Sequence, residues 1–79
     1  MARMNLIVEL FDEEGNQKDQ RLFGTLISAK KWADEEDAQF IRVYDSEEDN
    51  IAYYTRGGRL NRWYEVNENM FNKLTEAKS

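Results

Sequence analysis

The sequence predicts a small α+β fold, in which an antiparallel sheet is covered on one face by two helices. Strand-like runs, rich in branched and aromatic residues, alternate with turn signals. Two other segments carry apolar residues at helical spacing instead. Most strand-like runs follow one another directly, which favours antiparallel hairpins over helical crossovers. We therefore predict the order β-β-α-β-β-β-α in a single domain of residues 1–79.

The first two predicted strands form an N-terminal hairpin. Residues 6–11 are a nearly continuous apolar run, which is typical of a strand buried on both faces. Residues 12–16 predict a turn, because Gly15 and Asn16 tolerate positive φ. The second strand is expected over residues 20–27, with a glycine inside it that marks a bulge or a close backbone approach.

Two helices are predicted from their caps and their apolar spacing. Ser28 is a suitable N-cap for a helix ending near Asp37, because its hydroxyl can accept a hydrogen bond from the first turn. Trp32 is expected to anchor that helix in the core. Asn67 is the expected cap of the last helix. The apolar side of that helix is predicted to hold Met70, Phe71, Leu74 and Ala77.

The segment between the helices predicts three strands joined by two turns. Gly57 and Gly58 favour a two-residue type I′ turn, since both central positions of that turn need positive φ. This turn would put Arg56 opposite Arg59. Such a pair would either splay into water or contact an anion. The preceding turn is interpreted as a four-residue loop over residues 46–49.

This register divides the side chains of the three strands between two faces of the sheet. The face expected beneath the helices holds Ile41, Val43, Ala52, Tyr54 and Trp63. The other face is expected to be open and to hold Phe40, Arg42, Tyr44, Tyr53, Arg62 and Tyr64. Because tyrosine and arginine dominate interface hot spots, the last five of these are candidate partner-binding residues.

Composition argues against an enzyme and against a metal or cofactor site. The chain has no cysteine and no histidine, so the commonest general base and the thiolate ligands are absent. No apolar run approaches the ~20 residues of a membrane span, which predicts no membrane partner. The absence of cysteine fits a cytoplasmic protein.

The net charge is −5, and eleven of the sixteen acids fall in three clusters, at residues 12–14, 34–37 and 45–49. The middle cluster is expected at a helix C-terminus, where carboxylates are destabilising, which indicates either a solvated helix end or a surface kept for binding. The third cluster lacks the glycine and the glutamate that a calcium loop requires. The candidate acidic contacts are Asp34, Glu35, Glu36, Asp37, Glu47, Glu48 and Asp49.

Three functional hypotheses follow. The first is a non-enzymatic protein that binds a protein partner with a basic surface, as an inhibitor from a phage or mobile element would when it occupies a nucleic-acid-binding surface. The second is a single-stranded nucleic-acid binder that uses the aromatic sheet face. The net charge makes nucleic acid the less favoured partner. The third is a homodimer that associates through that same face.

Overall fold

A computed structural model describes residues 5–76, which form a five-stranded antiparallel sheet and two α-helices. The elements are β1 (Leu6–Phe11), β2 (Gln17–Phe23), α1 (Leu26–Glu35), β3 (Phe40–Asp45), β4 (Asn50–Gly57), β5 (Arg62–Val66) and α2 (Glu68–Glu76). The strands lie in the order β2-β1-β3-β4-β5, so that β2 and β5 form the two edges. The predicted α+β class and the predicted order of elements are confirmed.

The helix α1 begins earlier than the sequence predicts. Its N-cap is Thr25, whose hydroxyl oxygen accepts the backbone N–H of Ser28 at 3.2 Å. The predicted cap at Ser28 is therefore wrong, and so is the extension of the second strand to residue 27. The chain bends at Gly24, directly after β2, and enters the helix there.

The larger hydrophobic core lies between α1 and one face of the sheet. Trp32 is buried in it and packs its ring against Phe23, with 5.2 Å between ring centroids. The buried members of this core are Leu6, Val8, Leu10, Ala29, Trp32, Ala33, Ala38, Ile41, Val43 and Tyr54. Ala52 and Trp63 pack against them, so the sheet face predicted to lie beneath a helix is the face that α1 covers.

The helix α2 lies on the opposite face of the sheet, so the prediction that both helices pack on one face is wrong. Phe71 contacts Tyr53, with 4.8 Å between ring centroids, and its other ring contacts are Phe11 and Phe40. Adjacent strand residues point to opposite faces, and Tyr54, next to Tyr53, belongs to the core under α1. Three aromatic side chains of the sheet are thereby removed from water.

The predicted cap of the last helix is confirmed. The side-chain oxygen of Asn67 accepts the backbone N–H of Met70 at 2.8 Å. Of the predicted apolar side, Phe71 is buried and Leu74 packs beside it, whereas Met70 is half exposed. Ala77 lies outside the described residues.

The two hairpins of the second half differ in how well the sequence predicts them. In the first, Asp45 pairs with Asn50 across the loop of residues 46–49, as predicted. In the second, Arg56 pairs with Trp63 rather than facing Arg59, so the predicted two-residue turn is wrong.

The loop of the second hairpin has four residues, 58–61, and positive φ occurs at Gly58 and Asn61. A backbone hydrogen bond of 3.2 Å between those two residues closes the loop. Relative to the predicted register, β5 is displaced by four positions. Because four is even, every side chain keeps its predicted face.

Candidate interaction surfaces

Two of the three acidic clusters meet at one end of the sheet. Phe11 pairs with Phe40, so the β1–β2 turn and the segment after α1 leave the sheet side by side. A cleft of about 440 Å³ lies between them, with Asp12, Glu13 and Asp37 in its wall. We call the following set the acidic end: Asp12, Glu13, Glu14, Asp34, Glu35, Glu36 and Asp37.

The third acidic cluster lies at the opposite end of the sheet. Leu6 begins β1 and pairs with Asp45, where β3 ends, so the loop of residues 46–49 projects away from the acidic end. The candidate residues Glu47, Glu48 and Asp49 are therefore separated from the candidates on α1 by the length of the strands. The structure does not bring the seven predicted acidic contacts onto one surface.

Arg56 is the basic residue most deeply embedded at the acidic end. Its side chain is only 10% exposed. One terminal nitrogen, Nη2, donates to Asp34 at 2.8 Å, and the other, Nη1, donates to Asp37 at 3.4 Å. The guanidinium also lies 5.0 Å from the centre of the Trp63 ring, a cation–π contact. The expectation that Arg56 splays into water opposite Arg59 is therefore wrong, and the anionic groups that Arg56 contacts are carboxylates of the same chain.

Asp34 joins the end of α1 to β4 and β5. The same carboxylate oxygen, Oδ1, accepts from Arg56 and, at 2.9 Å, from the indole nitrogen of Trp63. A charge-assisted hydrogen bond to an embedded guanidinium outweighs an unfavourable place in the helix dipole. The position of Asp34 is thus explained by the fold. This role could not be read from the sequence, because it depends on the register of β5.

Four other carboxylates of the acidic end have no such role. The side chains of Glu13, Glu14, Glu35 and Glu36 are exposed, and none forms a hydrogen bond or an ion pair within residues 5–76. By contrast, Asp12 holds the β1–β2 turn, since its Oδ1 accepts two backbone N–H groups at 2.9 and 3.0 Å. The acidic end therefore combines structural aspartates with unpaired glutamates.

The acids of the opposite end are largely structural. Asp45 Oδ1 accepts the backbone N–H groups of Glu47 and Glu48, at 3.0 and 3.2 Å. Asp49 has a positive φ of 53°, and its carboxylate accepts the hydroxyl of Tyr44 at 2.8 Å. That hydrogen bond raises the pKa of Tyr44. Glu48 is the one candidate of this turn whose carboxylate has no hydrogen-bond or ion-pair partner in the part of the chain that the structure describes.

The aromatic sheet face, predicted to be open, is partly covered. Phe40 and Tyr53 are buried beneath α2, which removes them from any surface for a partner. Burial raises the pKa of Tyr53, and its hydroxyl donates to Glu68 at a long 3.4 Å. Arg42 binds Glu9 in a bidentate pair, with distances of 2.6 and 2.8 Å, and this hydrogen bonding raises the pKa of Arg42.

Arg62 and Tyr64 lie on the edge strand β5 and are exposed. The Tyr64 ring lies over the hairpin loop, where a Cβ added to Gly58 would come within 2.7 Å of the Tyr64 hydroxyl. These two residues are far from Tyr44, which lies two strands away. The six residues predicted to form one patch are thus divided among a buried cluster, two polar pairs and a sheet edge.

An apolar row crosses the part of this face that α2 leaves uncovered. Leu22, Ile7, Tyr44 and Ile51 are direct neighbours on four successive strands. Leu22 and Ile51 are about half exposed, at 49% and 47%. We call these four residues the open row. The sequence signal for it was present in each strand, but the order of the strands was needed to join the residues.

The described residues contain no group of three acidic side chains placed to hold a metal ion, and no helix among them is long and apolar enough to cross a membrane. Comparisons with protein-family models, with curated proteins and with solved structures find no match for this chain.

Proposed function

We propose that this protein is a non-enzymatic binding protein whose acidic end contacts a basic surface on a protein partner. The observation that carries the proposal is a set of four exposed glutamates, Glu13, Glu14, Glu35 and Glu36, whose side chains have no hydrogen-bond or ion-pair partner among residues 5–76. They come from two separate segments of the chain, the β1–β2 turn and the segment between α1 and β3 with the last residue of α1, and both segments lie at the same end of the sheet.

Stability does not account for these glutamates. Glu35 is the last residue of α1 and Glu36 follows it. The last turn has no basic residue of its own, and among residues 5–76 the one cation bound there, Lys18 of β2, donates to the Glu36 carbonyl oxygen at 2.7 Å rather than to a carboxylate. Carboxylates at a helix C-terminus cost about 0.3–1 kcal/mol each when exposed. A partner with lysine or arginine side chains would offset that cost and would be attracted at long range.

An inhibitor is the form of this function that we favour. Carboxylates on a compact surface can lie where the phosphates of a nucleic acid would lie on a basic protein. A small acidic protein of this kind, as phages and mobile elements encode, would then occlude the nucleic-acid-binding surface. This step rests on analogy with how such surfaces recognise charge.

The test compares two charge-matched double variants. Immobilised parent, Glu35→Gln/Glu36→Gln and Glu47→Gln/Glu48→Gln proteins are incubated with a lysate of the native host, and bound proteins are identified by mass spectrometry. We expect a basic protein that is retained by the parent and by the second variant, that is lost from the first, and that elutes with salt. Equal retention by all three proteins would contradict the assignment to the acidic end.

A homodimer is a second candidate, favoured by the open row. Two half-exposed aliphatic side chains aligned with a tyrosine across four strands would lose apolar surface against a second copy. Sedimentation equilibrium of the parent and of Ile51→Lys tests it: a dimer that becomes a monomer supports the candidate, and a monomeric parent eliminates it. The nucleic-acid hypothesis is weakened because α2 covers Phe40 and Tyr53.

A further inference from the structure

A groove runs between α1 and the edge strand β5. Ile27, Lys30, Lys31 and Asp34 recur at i, i+3, i+4 and i+7, so they form one stripe of the helix. With Arg62 and Trp63 they line a groove of about 400 Å³. We call it the edge groove.

The backbone of β5 is open on the side of this groove. Among residues 5–76 the strand pairs only with β4, and it lies at the edge of the sheet. Arg56, which lies opposite Trp63, directs its backbone N–H toward β3, where it donates to the carbonyl of Gln39 at 2.9 Å. In antiparallel pairing this makes the Arg56–Trp63 pair a non-hydrogen-bonded one. The N–H and C=O of Trp63 therefore point outward, away from β4.

The helix side of the edge groove carries two lysines although the whole protein is acidic. Lys31 and Arg62 form no ion pair within residues 5–76, and the ammonium of Lys30 lies over the Tyr54 ring, 4.6 Å from its centre. Asp34, the acid in the lining of the groove, is already hydrogen-bonded to Arg56 and Trp63. Lys30 and Lys31 thus lie beside a groove whose lining acid is occupied. The side chain of Arg62 belongs to the opposite face of the sheet, and Glu65, opposite Tyr54, lies on the groove face of β5.

The groove also has an apolar wall that the fold does not need. Ile27 is 82% exposed, the highest value among the large apolar side chains of the described chain. It faces the half-buried ring of Trp63 across the groove. An exposed isoleucine beside an aromatic ring and two lysines combines apolar and electrostatic recognition at one site.

We propose that the edge groove binds an extended acidic peptide, which adds to the sheet as a sixth strand beside β5. The outward backbone groups of Trp63 would hydrogen-bond to the peptide backbone, as in other cases of strand addition between a helix and a sheet edge. Apolar side chains of the peptide would contact Ile27 and Trp63. Its carboxylates would lie near Lys30 and Lys31. This function is separate from that of the acidic end and needs a partner of opposite charge.

The open backbone favours a peptide over a nucleic acid. A peptide strand offers alternating donors and acceptors that match an unpaired strand edge, whereas a sugar–phosphate backbone has no such N–H donors. The net charge of −5 also opposes the approach of a polyanion of high charge density. A short peptide with two or three carboxylates carries less charge and fits the five-residue edge.

The experiment measures binding of synthetic peptides by nuclear magnetic resonance titration of the full chain. The probe is the hexapeptide Glu-Ser-Val-Ser-Glu-Ser, whose glutamate and valine side chains share one face of the added strand. One control peptide has lysine in place of glutamate, and another carries N-methyl groups on alternate amides, which removes hydrogen-bond donors on one edge. We expect the probe to bind and to shift the amide signals of Trp63 and Ile27. We expect neither control to bind.

A pair of charge-reversing variants locates the site. Lys31→Glu should weaken binding of the probe about tenfold or more, because it puts a carboxylate beside the peptide's own. Lys73→Glu makes the same charge change on α2, across the sheet, and should leave the affinity within about twofold of the parent. Spectra of both variants without peptide establish that the fold is retained.

Three results would overturn the proposal. They are no binding of the probe at millimolar concentration, equal binding of the N-methylated peptide, and equal weakening by the two variants. Labelled oligo-dT is titrated in parallel. If it binds with the same set of shifted signals while the peptide does not, the groove is a nucleic-acid site and the peptide assignment is wrong.

Discussion

The two faces of the sheet are covered in different ways. On one face, α1 lies along a continuous core that includes three alanines, Trp32 and side chains from three central strands. On the other face, α2 covers only one end, where Phe71 closes a cluster with Phe11, Phe40 and Tyr53. The open row remains uncovered at the other end of that face.

The difference shows that α1 packs on the larger core, whereas α2 covers only part of the opposite face of the sheet. Small residues let α1 approach the sheet closely, and its outer sides carry both the acidic end and the edge groove. The helix α2 contributes one fully buried residue. We therefore expect changes under α1 to affect the whole chain, and changes under α2 to remain more local.

The largest effect is expected for Trp32→Ala. Truncating a fully buried tryptophan should lower the free energy of unfolding by about 3–5 kcal/mol, which is most of the stability of a small protein. Chemical denaturation measured by circular dichroism checks the prediction. A variant that unfolds at the parent's denaturant concentration would show that the α1 face is not the main core.

A smaller and more local effect is expected for Phe71→Ala. The loss should be about 3 kcal/mol, at the low end for a buried phenylalanine, because the cluster is small and lies at one end of the sheet. Hydrogen exchange should show lost protection in α2 while β1, β3 and β4 stay protected. Uniform loss of protection across the sheet would contradict the prediction, because it would show that both faces contribute alike to the stability of the whole sheet.

Asp34→Ala should lower the free energy of unfolding by about 1–3 kcal/mol. It removes two hydrogen bonds and leaves the embedded Arg56 guanidinium poorly paired. Relief of the unfavourable helix dipole opposes this by about 0.3–1 kcal/mol, so a net loss remains. The adjacent Glu35→Ala is the control, and it should stay within about 0.5 kcal/mol of the parent. Equal effects would remove the structural role assigned to Asp34.

Tyr53→Phe should change the free energy of unfolding more at alkaline pH than at neutral pH. Burial raises the pKa of Tyr53 in the fold, so the unfolded chain loses this proton first as the pH rises above about 10. Stability from this group is present below that pH and is lost between the unfolded and folded pKa values. Denaturation at pH 7 should be nearly unchanged, and the decline above pH 10 should be shallower. An unchanged decline would contradict burial under α2.

The sequence predicted which face of the sheet each strand side chain occupies better than it predicted the strand register or which helix covers each face. Alternation with a period of two assigns Tyr53 and Tyr54 to opposite faces whatever the register, so the four-position error in β5 changed no face. The two glycines suggested a shorter turn because local turn preference says nothing about packing. In the longer loop, Trp63 reaches Arg56 and Asp34.

The side of the sheet on which α2 packs was also beyond local reasoning. Both faces carry apolar side chains near the start of β3, Phe40 on one and Ile41 on the other. The sequence showed that an acidic run ends the first helix. It could not divide that run into a structural Asp34 and unpaired Glu35 and Glu36, because the division depends on contacts with β4 and β5.

The most direct test of the central claim is the stability of a variant in which Glu13, Glu14, Glu35 and Glu36 are all glutamine. The claim is that these four carboxylates serve binding and contribute nothing to folding. The unfolding free energy of this variant should equal or exceed that of the parent. The difference should be larger at low salt, because mutual repulsion between the carboxylates is removed. A loss of more than about 1 kcal/mol would show that the glutamates stabilise the fold and would contradict the account.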